Sequence, residues 1–440
     1  MTWLILITAA FASTGSGLGL TPLGGGLAGI SEPGALGLPS TPAAARPTRP
    51  EMVVDAGANM YTFGATLKGE DREEINGIVP MPYVGMAAPI GDFGIGMYAM
   101  IPYGGGAEFS PRGAQRFHAI SASSFLVEAG LPLAYQASDW LTVGASFRVG
   151  RASLTKNTAM NTAALVNSKA EMDPPLPTDT DLLIGSQALN ISGFGAGYGL
   201  GISVRMPNEM EIHLGYRSPM KATMSGTVEL IPSNDLQLSA NGSATGSMQF
   251  AREVELGVVT PVGNTRLIMT AGWVDWSPLA TIDVGVRDLQ IDSDDETMAA
   301  LFTSTGLNES DLLAAGTDIH NDLGHTHVFH GGAALGIPLG EDWEARPAAY
   351  YSPTTVPDET FHAGIADFVS WDLRLSGSYA ATHWLTTGLS IDHFIIRTRT
   401  IRTSGLSLDN DASSGRVLPS ANGKYDMRAT RIGLSLIARK

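Results

Sequence analysis

A two-residue periodicity runs through the chain from Glu51 to its C-terminus. In residues 141–149 the apolar side chains alternate with Thr, Gly, Ser and Arg, and in residues 194–202 they alternate with glycine. Successive side chains of a β-strand point to opposite faces of the sheet, so this pattern predicts strands with one apolar face and one polar or glycine face. We predict about fourteen such strands, near residues 51–67, 79–90, 93–103, 118–136, 140–156, 192–206, 209–229, 245–261, 264–286, 325–338, 342–355, 366–380, 384–400 and 424–439.

The connections between these strands alternate between short and long. The short ones are Gly91-Asp92, Ser138-Asp139, Pro207-Asn208, Val262-Gly263, Glu341 and Thr382-His383, and the long ones are 68–78, 104–117, 157–191, 230–244, 287–324, 356–365 and 401–423. Tight turns at one end and long loops at the other are typical of outer-membrane barrels, whereas a soluble β-sandwich would share only the alternation. The predicted fold is all-β, a transmembrane antiparallel β-barrel of about fourteen strands. An even strand number puts both chain ends on the short-turn, periplasmic side.

Aromatic residues and hydropathy fit this prediction. Trp140, Trp343 and Trp384 each open a strand just after a short turn, where a barrel carries its interfacial aromatic girdle. Beyond the N-terminus no run of about eighteen apolar residues occurs, so no membrane helix is predicted.

The N-terminal fifty residues differ from the rest of the chain. Residues 1–12 are apolar and end in a small-x-small pattern, which predicts a signal peptide although no Lys or Arg precedes it; a buried strand or helix is the alternative. Residues 13–50 are rich in Gly, Ala, Pro, Ser and Leu and cannot form a core of their own. They carry more Leu and less charge than a disordered linker. We therefore predict that residues 13–50 form a plug, or hatch, in the lumen of a barrel formed by residues 51–440.

Composition limits the function. The chain has 440 residues, a net charge of -16 and no cysteine, which excludes disulfides and thiolate metal sites. The excess of acid argues against a nucleic-acid partner. No Gly-x-Ser-x-Gly elbow, P-loop, dinucleotide fingerprint or zincin helix occurs. We predict a protein that is not an enzyme and has no cofactor, although a catalytic site of dispersed residues is an alternative that no motif tests.

Seven short motifs, in their order and spacing, resemble the FadL-type outer-membrane transporters of long-chain fatty acids and other hydrophobic compounds. They lie at 100–104, 116–120, 131–135, 140–145, 215–219, 273–277 and 350–353. The resemblance implies passive transport of fatty acids or similar molecules, captured by extracellular loops and released laterally through the barrel wall. The alternatives are uptake of aromatic hydrocarbons or xenobiotics, and a structural or adhesive barrel. The resemblance also implies a monomer in the outer membrane of a Gram-negative-type bacterium. Its expected partners are a hydrophobic small molecule and membrane lipid, and no nucleic acid. One departure is Ser40-Thr41-Pro42-Ala43, where the family commonly has Asn-Pro-Ala.

The periodicity places many charged side chains in the lumen. The inward arginines are Arg148, Arg217, Arg346, Arg374 and Arg431, and the inward acids are Glu128, Glu211, Glu253, Glu255, Glu344, Asp372 and Asp392. We expect most of them to pair, whereas a carboxylate ligand would need an unpaired cation beside an apolar pocket. The candidate ligand-binding residues are three of these arginines and five apolar residues near the long loops 157–191 and 287–324. They are Arg148, Arg217, Arg346, Phe194, Leu182, Leu183, Met298 and Phe302. Apolar loop residues cover either each other or a hydrophobic ligand.

The third strand contains the candidate lateral opening. Pro102 removes a ladder donor, and Gly104 and Gly105 follow it. The alternative is that these residues end the strand at the outer rim. The resemblance favours the opening, because FadL-type barrels have a kinked third strand.

A histidine-rich stretch leads into the tenth predicted strand. On a strand, His325 and His327 share a face and His330 lies on the other, so a polar loop running into the strand is the favoured interpretation and metal binding is a weak candidate. The four histidines are His320, His325, His327 and His330, with Asp318 and Asp322 nearby.

Overall fold

A computed structural model describes residues 34–67, 70–161, 184–231, 238–279, 281–293, 318–361, 367–404 and 421–440, together with the single residues Thr303 and Gly364. The predicted signal peptide and the part of the predicted plug before residue 34 lie outside the described residues. In the part of the chain that is described, no helix has the length and hydropathy needed to cross a bilayer.

Fourteen antiparallel strands account for most of these residues, and five of them are interrupted. They are β1 (Glu51–Leu67), β2 (Glu73–Ile90), β3 (Phe93–Glu108), β4 (Ser121–Ser138), β5 (Leu141–Asn161), β6 (Ile184–Arg205), β7 (Glu211–Arg217 and Met220–Ile231), β8 (Leu238–Phe250 and Arg252–Val262), β9 (Thr265–Asp275 and Thr281–Ser293), β10 (Asp318–Asp322 and His327–Pro338), β11 (Trp343–Ser352), β12 (Ser370–Thr382), β13 (Leu385–Ile396 and Arg399–Ile401) and β14 (Gly423–Arg439). Short 3-10 helices lie at Pro42–Ala45, Ala114–Phe117 and Ser277–Leu279.

The sheet closes on itself. Each strand pairs with the next in sequence, and β1 pairs with β14 from Glu51 opposite Arg439 to Leu67 opposite Gly423. Closure satisfies the backbone groups that an open sheet would leave at its edges. The predicted β-barrel is confirmed. β3 continues to Glu108, so Pro102 lies within the strand and not at its end.

The two faces of the wall have opposite character. On β4, Val127, Leu131 and Leu133 are more than half exposed, whereas Glu128 between them is 1% exposed. Similar outward apolar side chains occur all around the barrel, and Trp140, Trp343 and Trp384 are about half exposed beside the short turns. Such a continuous apolar exterior suits lipid and not water. This pattern fits a protein that spans an outer membrane.

The upper lumen, toward the long loops, is apolar on two sides. We call these sides the β4–β10 wall and the β1–β14 wall. Buried members of the β4–β10 wall include Tyr103, Leu126, Ile191, Met220, Phe250 and Trp276. Buried members of the β1–β14 wall include Phe63, Val79, Phe109, Phe361, Phe394 and Tyr425.

The N-terminal segment, residues 34–50, occupies the lower lumen. Its residues 34–45 are buried, and Leu38 packs in a cluster with the inward residues Tyr83 and Tyr98. A Cβ atom at Gly144 would lie 2.5 Å from the backbone nitrogen of Ala43, so a glycine is needed for this close approach. The glycine face of the wall therefore allows the segment to lie against the strands.

Candidate functional site

A cluster of buried charges lies at mid-height in the lumen. We call it the β4–β10 polar cluster; it consists of Glu128, Arg148, Arg217, Glu253, Glu255 and His330, each at most 4% exposed. Glu128 is its centre. This carboxylate accepts hydrogen bonds from Arg148 Nη1 at 3.0 Å, from Arg217 Nη2 at 3.0 and 3.1 Å, and from the Tyr98 hydroxyl at 2.7 Å.

Both arginines also donate to backbone carbonyls. Arg148 Nη2 lies 2.6 Å from the carbonyl oxygen of Ser218, at the interruption of β7. Arg217 Nη1 lies 2.9 Å from the carbonyl oxygen of Pro39, in the N-terminal segment. These two side chains are candidate cations for a carboxylate ligand, a role that needs a cation without a partner. In the structure they are inward, as predicted, but Glu128 and the backbone already engage them.

The other two glutamates of the cluster are less well satisfied. No oxygen of Glu253 or Glu255 makes a hydrogen bond among the residues that the structure describes. The nearest cation is Arg217, whose Nε lies 3.8 Å from Glu253 Oε2. His330 Nδ1 is hydrogen-bonded to the Tyr350 hydroxyl, and its Nε2 lies 3.9 Å from Glu253 Oε1.

A second cluster lies on the opposite side of the lumen. We call it the β12–β14 polar cluster; it consists of Asp372, Arg374, Asp392 and Arg431. Arg374 bonds to Asp392 and, at 3.4 Å, to Asp372. Arg431 bonds to Asp392 at 2.6 Å and to Asp372 at 3.3 Å. Each arginine thus pairs with both aspartates. Asp55 lies within electrostatic range of Arg374 and accepts no hydrogen bond from the described part of the chain.

The ladder between β2 and β3 stops halfway. Eight pairs run from Ile90 opposite Phe93 to Tyr83 opposite Met100, and none is formed above them. The ladder between β2 and β1 continues up to Glu73. We call the stretch above Tyr83 and Met100 the β2–β3 gap.

The β2–β3 gap has a local cause in the sequence. Pro80 and Pro82 on β2 and Pro102 on β3 have no N–H to donate. The register of β3 against β4 also shifts between Met100 and Tyr103, which indicates a bulge at Pro102. Val79 of the β1–β14 wall and Tyr103 of the β4–β10 wall lie on the two sides of the gap, so it adjoins the apolar upper lumen.

The remaining candidate ligand-binding residues do not lie with Arg148 and Arg217 in one site. Phe194 is 71% exposed and points outward, because its β6 neighbours Gly193 and Gly195 take the inward positions. Arg346 bonds to Glu344 at 2.7 Å, on β11. Leu182, Leu183, Met298 and Phe302 lie outside the described residues.

The structure separates the histidines. His327 is exposed, and the His325 ring is hydrogen-bonded to the Thr355 hydroxyl at 2.9 Å. Burial lowers the pKa of His325 from 6.5 to about 4. The side chain of His320 lies outside the description. Among the histidines whose side chains the structure describes, only His330 belongs to a group with metal-ligand spacing, together with Glu253 and Glu255. The sequence pattern does not reveal this grouping, because the glutamates come from β8, with β9 lying between them and β10.

Comparison with known proteins gives consistent matches. Residues 43–367 match the family model for outer membrane protein transport protein (OMPP1/FadL/TodX). The structure resembles a Pseudomonas aeruginosa FadL homologue with a TM-score of 0.77 and 13% identity, covering 98% of this chain and 99% of that one. It also resembles the Ralstonia pickettii toluene transporter TbuX (TM-score 0.64, 15% identity, coverage 96% and 98%) and the P. putida toluene transporter TodX (0.65, 13%, 94% and 97%). No curated protein sequence matches. At these identities the structural likeness shows the fold alone.

Proposed function

Because the chain belongs to the OMPP1/FadL/TodX family of outer membrane transport proteins, we propose that it takes up uncharged hydrophobic molecules and releases them sideways into the membrane. The family transports hydrophobic compounds across the outer membrane and is not an enzyme family. The observation that carries the proposal is an apolar upper lumen that adjoins the β2–β3 gap.

The apolar walls support a greasy cargo. Aromatic and aliphatic side chains from both sides of the barrel line the upper lumen, including the stacked rings of Tyr103 and Phe250. Transfer of a hydrophobic molecule from water to such a surface is favourable by about 25 cal/mol per Å² of apolar area. The long loops would deliver the molecule to these walls.

The charges beneath the walls favour an uncharged molecule. The β4–β10 polar cluster contains three glutamates and two arginines, and both arginines bond to Glu128. A ligand carboxylate would have to displace Glu128 from them and would meet Glu253 and Glu255 nearby. The fatty-acid prediction needs a free cation, so aromatic hydrocarbons or similar neutral compounds are the better fit.

The lower lumen supports a lateral exit. The N-terminal segment fills it and is held by bonds from Arg217 to Pro39 and from the Tyr83 hydroxyl to Ala35. We infer that this segment acts as the plug. A molecule that left downward would also pay the cost of hydrating its apolar surface, whereas the gap leads toward lipid.

A reversible cross-link tests the exit. The bulge at Pro102 adds one residue to β3, so extending the β2–β3 register beyond it places Ile78 opposite Gly106, across the gap and on the same outward face. A chain with Ile78→Cys and Gly106→Cys would be joined by a reductant-cleavable bismaleimide in outer-membrane vesicles. Uptake of a labelled neutral hydrocarbon should fall to background and return after cleavage.

The matched control is Val54→Cys with Val84→Cys. These residues are already paired between β1 and β2, and both face outward. Joining them should leave uptake unchanged. Uptake that persists with the Ile78–Gly106 link closed would exclude release through the gap.

The cargo class is tested with matched ligands. A long-chain fatty acid and its methyl ester differ mainly in charge. In vesicles treated with a chelator, we expect the ester to be taken up about tenfold faster, because only the acid meets the two glutamates that make no hydrogen bond within the described residues. Faster uptake of the acid would support the fatty-acid alternative. Uptake of neither, under conditions where the vesicles contain folded barrel, would favour a structural role.

A further inference from the structure

We propose that Glu253, Glu255 and His330 form a binding site in the lumen for a divalent transition-metal ion such as Zn²⁺. This inference does not depend on which molecule is transported. One carboxylate oxygen from each glutamate and one imidazole nitrogen lie within 4.8 Å of one another. Small side-chain rotations would bring them to the separations that a shared ion requires.

The strand register builds the site. Glu255 lies opposite Gly272 on β9, and Gly272 lies opposite His330 on β10. A Cβ atom at position 272 would lie 2.2 Å from the His330 ring. The glycine therefore leaves room for the imidazole to lie across β9, toward the glutamates.

The donor atoms are buried without hydrogen-bond partners. His330 Nε2 and all four carboxylate oxygens make no hydrogen bond in the part of the chain described, and the three residues are at most 4% exposed. Buried polar atoms are normally satisfied, and a carboxylate left alone costs more than a neutral group. A bound cation would satisfy these atoms and offset the cluster's excess of acid.

The chemistry of the three donors suits a borderline metal. Imidazole nitrogen with carboxylate oxygen is a common ligand set for Zn²⁺, and three protein ligands leave a fourth position for water. Tyr350 contacts Nδ1 of His330. If Nδ1 donates its proton to the Tyr350 hydroxyl, Nε2 is free to bind the ion.

The site also touches the N-terminal segment. The Ser40 hydroxyl lies beside Glu255 without the geometry of a hydrogen bond. An ion at this position would lie beside the segment, between it and strands β8 and β10. The main competing state is metal-free, with a proton shared between the two glutamates.

Calorimetric titration of the purified full chain tests the site. The protein, in detergent and stripped with a chelator, is titrated with Zn²⁺. We expect one tight site per chain. Glu255→Gln and His330→Ala should lose it, whereas His327→Ala, which removes an exposed histidine of the same strand, should keep it.

Two further variants test geometry without removing a ligand. Tyr350→Phe should weaken binding by about 10–100-fold, as is usual for groups that orient a ligand. Gly272→Ala should weaken it as well, because the added methyl group displaces the imidazole. Heat-modified mobility on gels checks that each variant is a folded barrel.

Several results would overturn the proposal. They are absence of a tight site in the intact chain, a site lost in His327→Ala but kept in His330→Ala, and an unchanged affinity in Gly272→Ala. Absence of a tight site would leave a proton shared between the two glutamates as the explanation of their burial. A site lost in His327→Ala but kept in His330→Ala would show adventitious surface binding. None of these results bears on hydrocarbon uptake, which is measured separately.

Discussion

The two polar clusters lie at similar depth in one lumen but differ in how their charges pair. Asp392 lies seven residues above the first residue of β13, and Glu255 lies seven residues above the last residue of β8. In the β12–β14 cluster each arginine pairs with both aspartates. In the β4–β10 cluster both arginines bond to one glutamate, and two further glutamates make no hydrogen bond to any residue that the structure describes.

We interpret this difference as a structural role for the β12–β14 cluster and, as proposed above, a binding role for the β4–β10 cluster. Burying an ion costs several kcal/mol, and only well-formed pairs offset that cost. In the β12–β14 cluster both arginines bond to both aspartates, although Asp372 Oδ1 accepts no hydrogen bond among the described residues, and the cluster connects three strands next to the closure of the barrel. The β4–β10 cluster keeps unpaired acid beside the N-terminal segment, where a ligand or cation can satisfy it.

The largest expected effect comes from one carboxylate in each cluster. Asp392→Asn leaves two buried arginines with Asp372 as their main partner and should lower the free energy of unfolding by about 3–5 kcal/mol. Glu255→Gln removes a charge that has no hydrogen-bond partner and should change it by less than about 1 kcal/mol, or raise it. Denaturant titration in detergent, with chelator present, measures both. Equal losses of unfolding free energy in the two variants would show that the two clusters contribute equally to stability.

The sequence predicted which charged side chains face the lumen but not how they pair. Two-residue alternation correctly placed Arg148, Arg217 and Asp392 inside the barrel, because parity alone decides the face. It could not predict which inward charges would meet. Glu128 on β4 bonds to Arg217 on β7, and that contact depends on the curvature of the closed wall.

The same limit applies to the fold. Strand positions followed from local pattern, and β1 was predicted with its observed ends. The interruption of the β2–β3 ladder had a local signal in Pro102, but its extent on β2 needed the pairing itself. For Phe194 the parity signal was present: glycine neighbours on the inward face meant that the ring points to lipid.

The second prediction compares the two arginines of the β4–β10 cluster. Arg148→Met and Arg217→Met each remove bonds to Glu128, but only Arg217 also holds the N-terminal segment through Pro39. We expect each to cost about 2 kcal/mol of stability. Only Arg217→Met should add frequent ion-conducting openings in planar bilayers. Similar conductance in the two variants would show that the segment is held by other contacts.

The third prediction concerns the stability of the protein in acid. Burial of His325 lowers the pKa of its imidazole from 6.5 to about 4. The folded state therefore binds fewer protons than the unfolded state between these values. Its contribution to stability is complete above pH 6.5 and is lost as the pH falls toward 4. The full shift corresponds to about 3 kcal/mol, but the His325 side chain is only partly buried, so we expect a loss of about 1–2 kcal/mol that His325→Gln removes. Parallel pH curves for the two proteins would contradict this assignment.

The smallest effect should come from an exposed counterpart of the β12–β14 cluster. Arg72 also bonds to two acids, Glu74 at 3.1 Å and Asp426 at 3.0 Å, but its side chain is 42% exposed. Because water and salt screen such pairs, Arg72→Ala should cost less than about 1 kcal/mol, and the loss should shrink in high salt. The loss in Asp392→Asn should stay nearly constant, since burial excludes the screening ions. Denaturant titration of the two variants at low and high salt therefore distinguishes the effect of the number of ionic partners on stability from the effect of their burial. If Arg72→Ala cost as much as Asp392→Asn, pairing alone would explain the β12–β14 cluster and its buried position would add nothing.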